Sequence, residues 1–267
     1  FPQQDYQCGP AALATVLVAS GAPVSPEALV AEVYLPGRKG SLQAELVAAA
    51  RARGRLSYLL PPSFDDLLAQ LAAGHPVLVL QKTGAGPWPG WHYAVVIGYD
   101  VSRDRLLLRS GTESRLEMSA TYFRATWDRA DRWAMILLEP GRLPARADLG
   151  RYMEAAAGLE SVGRLDDAEQ AYRAAAQHWP SESLPRLALA NIALARGERA
   201  VAERELRAAL TLAPDDVAAR NNLAEVLRSM GCPESARREI AIAARRAEGG
   251  PLAAAVASTQ RRIDASS

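Results

Sequence analysis

Cysteine is scarce in this chain: Cys8 and Cys232 are the only two among 267 residues. Two thiols make no disulfide framework, so the fold must rest on its apolar residues, 49% of the total. Excess charge of one sign is missing as well. The 31 Lys and Arg against 30 Asp and Glu leave a net +1, and no basic cluster interleaves with aromatics, so nothing invites nucleic acid. No apolar run approaches the roughly 20 residues that cross a membrane, so no transmembrane segment is expected. No cofactor and no metal is expected either. The first residue is Phe1 rather than Met, from which we expect that an N-terminal segment, with any signal it carried, has been removed.

What is present divides near residue 140. Before it lie most of the prolines, the β-branched runs and four of the five tryptophans; after it come Ala, Leu, Arg and Glu. Glu139-Pro140-Gly141-Arg142-Leu143-Pro144 marks the seam. The expected layout is an α+β domain over 1–140, a linker over 141–148, an all-α repeat domain over 149–250, and a capping helix with tail over 251–267.

In the first domain, Gly9-Pro10 opens an apolar helix that ends at Gly21-Ala22-Pro23. Pro suits a first helical turn because its missing N–H had no partner there. Ser25-Pro26 predicts a helix to about Val33, Ser41 one to about Arg53, Ser63 one to Ala73, and Ser119 one to about Thr126. Strands are predicted at 56–60, 76–81, 92–99, 105–109 and 133–138. The runs at 92–99 and 105–109 flank a short polar turn, which predicts an antiparallel hairpin.

Cys8 stands where an extended run becomes a helix. There the positive end of the macrodipole favours thiolate. On position alone it is a reactive thiol or a small buried hydrophobe. His92 opens a buried strand beside the Gly/Pro/Trp loop at 84–91. His75, at a strand start, suits a surface or capping role, and His178 a helix C-terminus. A cysteine at a helix start with a histidine at a distant strand start is the arrangement of a cysteine hydrolase. The imidazole takes the thiol proton, the thiolate attacks a carbonyl, and the imidazolium protonates the leaving amine. The Cys8 backbone N–H and one of Gln3, Gln4 or Gln7 are candidate oxyanion donors.

Gln3 through Leu17, together with Trp91-His92-Tyr93-Ala94-Val95-Val96-Ile97-Gly98-Tyr99, resembles the papain-like peptidases that cut leader peptides after a Gly-Gly pair. The resemblance covers roughly residues 1–140. It implies Cys8 as nucleophile, His92 as base and Gln3 as oxyanion donor, with Gln4 next in line. It implies a peptide or protein substrate, with Trp88, Trp91 and Tyr6 walling a narrow opening. The family's histidine is oriented by an Asp on the next strand. A hairpin centred on residue 102 pairs residues summing to about 204, which sets Ala94 opposite Ser110 and puts Ser110 where that Asp is expected. Asp100 lies about 26 Å along the strand at roughly 3.3 Å per residue. A hydroxyl can fix the imidazole tautomer but stabilises its cation less, so a weaker or more selective peptidase is expected. A peptide-binding protein that does not cut, and an acyl transferase using the same chemistry, are the alternatives. Stand-alone relatives joined to helical repeats are typically envelope proteins, which implies a periplasmic, lipid-anchored or alternatively cytoplasmic location.

After residue 148 a fixed period appears. Gly163, Gly197 and Gly231 are 34 apart, as are Ala168, Ala202 and Ala236. Pro180 and Pro214 keep the spacing; Tyr172, Leu206 and Ile240 share one phase, and Ala175, Ala209 and Ala243 another. This resembles three tetratricopeptide repeats at 149–182, 183–216 and 217–250, with Tyr152, Arg186 and Arg220 in the slot usually held by Trp. Stacked repeats make a groove that implies a protein partner; the alternative is a spacer or dimerisation element. Arg186, Arg220, Asn191 and Glu225 are candidate groove residues, or equally a solvated face. Cys232 reads as a free thiol without a role.

Overall fold

The computed structural model describes residues 8–38, 40–84, 90–111 and 113–265. Two units part at Ala171/Tyr172, and each is taken by itself.

In the first unit, α1 (Cys8–Ala19) has almost no polar face. Ala11, Ala12, Leu13, Ala14, Val16 and Leu17 are all buried, and a helix apolar on every side belongs inside. It packs with α2 (Pro26–Val33) and α3 (Gln43–Ala52) in one cluster. Ser25 caps α2 as its sequence predicts, accepting from the Ala28 N–H. Ser41 does not cap α3. That helix begins at Gln43 behind Leu42, with no side-chain cap, because Ser41 is pressed against Gly9 of α1 instead.

Among the described residues the sheet has six strands: β1 (Leu56–Leu59), β2 (Val77–Thr83), β3 (Gly90–Asp100), β4 (Arg105–Ser110), β5 (Glu113–Ser119) and β6 (Ala134–Leu138). Their order is β1-β6-β2-β3-β4-β5, and every pairing is antiparallel. Strand alternation sorts the two faces. Leu78, Leu80, Tyr93 and Val95 face α1. Gln81 faces α5 (Ala120–Asp128), where its Nε2 donates to Thr126 Oγ1 at 2.7 Å. Beside α5 lies α4 (Phe64–Ala72), capped by Ser63 and joined to α5 through the Phe64–Phe123 ring contact. The expected β3–β4 hairpin is present, with Val95 opposite Arg109 and Val96 opposite Leu108. A bulge between Val96 and Gly98 shifts the register toward the tip. β5 was not expected: most of its side chains are exposed, so it carries no clean apolar alternation. α6 (Leu149–Ser161) packs on β1, and the guanidinium of Arg51 lies where a Cβ on Gly158 would be.

The boundary between the units falls within α7 (Leu165–His178). In the second unit α8 (Leu184–Ala195) pairs with α9 (Arg199–Leu212), α10 (Val217–Ser229) with α11 (Pro233–Ala247), and α12 (Ala253–Asp264) packs on α11. The 34-residue period is visible in the backbone. Gly197 and Gly231 turn the chain between paired helices at φ +75° and +76°, a region that costs other residues more than glycine. Ala202 and Ala236, Leu206 and Ile240, and Ala209 and Ala243 are fully buried in matching places. Arg186 binds Glu205 at 3.0 Å, and one period on Arg220 binds Glu239 at 2.6 Å. These arginines, expected as groove residues, are therefore engaged with the second helix of their own repeat.

Candidate active site

Cys8 is the first residue of α1, a half-buried free thiol. Its neighbour Gly9 is there for space: a Cβ would meet Ser41 Oγ at 2.3 Å. Ser41 in turn accepts, through its carbonyl, a hydrogen bond from the Tyr93 hydroxyl at 3.3 Å. Burial raises the Tyr93 pKa, and negative charge on Cys8 and Glu45 raises it further. The phenol therefore stays protonated and lies within electrostatic reach of the thiol.

One residue earlier, His92 pairs with Gln81 across β2–β3 and begins on the face that Tyr93 does not use. It stands at the rim of the sheet, past the end of β4. Its Nε2 lies 2.7 Å from Ser110 Oγ. When Nε2 carries the proton, Ser110 accepts it and Nδ1 is left as the basic nitrogen. Burial holds the His92 pKa below the ordinary value, since desolvation penalises the imidazolium. Ser110 brings no charge to offset this, and the imidazole is neutral at pH 7.

The structure thus joins His92 to Ser110. It sets Cys8 beside Gly9, Ser41 and Tyr93, with no hydrogen bond between Cys8 and His92. Trp91 is 56% exposed, with Lys82 Nζ 5.2 Å from its ring centre. Gln3, Gln4, Gln7, Tyr6 and Trp88 lie outside the described residues. Sequence reading missed Ser41, Glu45 and Tyr93. Tyr93 was within reach of it, because the residue after a strand-opening histidine must face the opposite layer. Ser41 and Glu45 carried no such signal.

A family model described as Peptidase_C39 like family matches residues 1–135 of the 267. The chain belongs to the Peptidase_C39 like family. Among solved structures it is similar to the peptidase domain of Streptococcus ComA, a bi-functional ABC transporter involved in a quorum sensing pathway. The two are 24% identical with a TM-score of 0.41, over 52% of this chain and 96% of that one. It is also similar to the type III secretion translocator chaperone SycD of Yersinia enterocolitica, at 19% identity and TM-score 0.41, over 43% of this chain and 91% of that one. No curated protein matches it. None of the helices is long and apolar enough to cross a membrane, among the described residues.

Proposed function

We propose that the first unit is a cysteine endopeptidase that cuts peptides after small residues of the Gly-Gly type, with Cys8 as nucleophile and His92 as base. The observation that carries this reading is the 2.7 Å contact of His92 Nε2 with Ser110 Oγ. It holds the ring on the same strand whose next residue, Tyr93, belongs to the buried cluster against which Cys8 packs. Nδ1 takes the thiol proton as sulfur attacks the substrate carbonyl and the carbonyl π electrons move to oxygen. Gln3 and the Cys8 N–H hold that oxygen. The intermediate collapses, the C–N bond breaks, and the imidazolium protonates the leaving amine; water then hydrolyses the thioester. Ser110 orients the ring without adding a full charge. We assign substrate contact to Trp91 and, from the family resemblance, to Trp88 and Tyr6, which lie outside the described residues.

The 34-residue period supports a tetratricopeptide-like array, which we assign to recruiting the substrate or a protein partner. An envelope location rests on resemblance to stand-alone relatives and is tested by cell fractionation.

The test uses the full chain and a peptide containing Gly-Gly, with products identified by mass spectrometry. Cleavage at one bond, abolished in both Cys8→Ala and His92→Ala, is the expected result. One observation favours a second reading, a peptide binder that does not cut: the acid expected beside the histidine is Ser110. Binding of the same peptide with no cleavage by the intact chain would establish that reading and end the first.

A further inference from the structure

Close to Cys8, two polar atoms find no partner. Ser41 Oγ and Glu45 Oε2 are both buried and make no hydrogen bond. An unpaired buried acceptor costs stability, and more when charged. Both belong to one neighbourhood. Ser41 abuts Gly9, its carbonyl accepts a hydrogen bond from the Tyr93 hydroxyl, and Glu45 lies one turn further on, at the start of the helix that packs on α1. Tyr93 cannot satisfy either atom, because its one proton is already given to the Ser41 carbonyl. Other carboxylates of this unit find guanidinium groups: Glu32 holds Arg53 at 2.7 Å and Asp128 holds Arg132 at 2.7 Å. Glu45, in the first turn of α3, has no such partner.

We propose that Glu45, with the Ser41 hydroxyl, receives a cationic side chain of the peptide substrate, so that the unit selects peptides carrying Lys or Arg within a few residues of the cut. This deepens the peptidase reading and rests on it. The assignment follows from the missing chemistry. Two empty acceptors need donors, and one of them belongs to a carboxyl group. A Lys ammonium brings three donors and an Arg guanidinium five. A charge-assisted bond in a half-buried place is about twice as strong as a neutral one. A neutral isostere leaves the carboxylate desolvated and empty, and sites built to pair a polar group discriminate strongly against ligands that lack it.

The test takes peptides that differ only in Lys or norleucine, placed in turn at the three positions on each side of Gly-Gly. Cleavage is followed with the intact chain, and affinity is measured separately with the Cys8→Ser chain, which cannot complete the reaction. At one position the Lys peptide is expected to be favoured about tenfold or more, in kcat/KM and in affinity. Glu45→Gln should bring the two peptides to parity. Where Glu45→Gln does not fold, Ser41→Ala serves, with a smaller but same-signed loss of preference. No Lys preference at any position, a preference that survives Glu45→Gln, or no binding of either peptide overturns the proposal. A Glu45-dependent preference in binding, with no cleavage by the intact chain, would uphold this site and overturn the peptidase reading instead.

Discussion

The surroundings of Cys8 and the helical pairs of the second unit treat their polar side chains differently. In the second unit the arginines at matching places in successive repeats are spent on structure: Arg186 on Glu205, Arg220 on Glu239 and on the Pro214 carbonyl. In the first unit the groups around α1 are left without protein partners. Cys8 makes no hydrogen bond to His92, and Ser41 Oγ and Glu45 Oε2 make none at all. Paired charges hold helices in register. Unpaired buried groups cost stability. Each expected outcome below strains one side of that contrast, in order of decreasing effect.

Removing the base should be the largest. His92→Ala is expected to lower kcat/KM on a Gly-Gly peptide by roughly ten-thousand-fold, the scale seen when a hydrolase triad loses a member, with the melting temperature little changed. Ser110→Ala should cost far less, because it takes away orientation and no charge. Ser110→Asp should raise the His92 pKa toward and beyond its ordinary value of about 6.5, read by NMR titration of the ring.

Gly9→Ala comes next. A Cβ there would collide with Ser41, and overpacking of this kind costs about 1–3 kcal/mol. Denaturant unfolding should show the loss, accompanied by a drop in cleavage, because the displaced groups flank the thiol. In the second unit Arg220→Ala strands Glu239, which is 20% exposed. The expected cost is about 1.5–3 kcal/mol, with no effect on Cys8 reactivity. A double-mutant cycle with Glu239→Ala should recover most of it.

The pH dependence is smaller and has a definite sign. His92 and His75 both have pKa values lowered by burial, so the folded state binds fewer protons than the unfolded one. Their contribution to stability is present above the unfolded value of about 6.5 and is lost as pH falls through the folded values. Acid titration of the melting temperature should show this loss, and the acid limb of cleavage should lie below the ordinary histidine value.

Much of the first unit could be read in advance where the pattern was local. The caps at Ser25, Ser63 and Ser119 each accept a backbone N–H. The sum of 204 holds for Val95–Arg109 and Val96–Leu108, and that was enough to bring Ser110 to His92. It fails nearer the tip, where Asp100 pairs with Arg105, because a bulge leaves no mark in apolar spacing. β5 was hidden because an exposed edge strand has no apolar face to announce it. Ser41 looked like a cap, yet the space beside Gly9 claimed it, and space between distant segments is not written in either one. The ion pairs of Arg186 and Arg220 could not be read in advance, because their partners lie 19 positions on, across a helical hairpin.

Alkylation of the two thiols puts the central claim to its most direct trial, since Cys8 should be activated by His92 and Cys232 by nothing comparable. Iodoacetamide at pH 6 should modify Cys8 much faster than Cys232, and His92→Ala should bring the two rates together. Equal rates in the intact chain, or a fast Cys8 that stays fast without His92, would contradict a thiol–imidazole site.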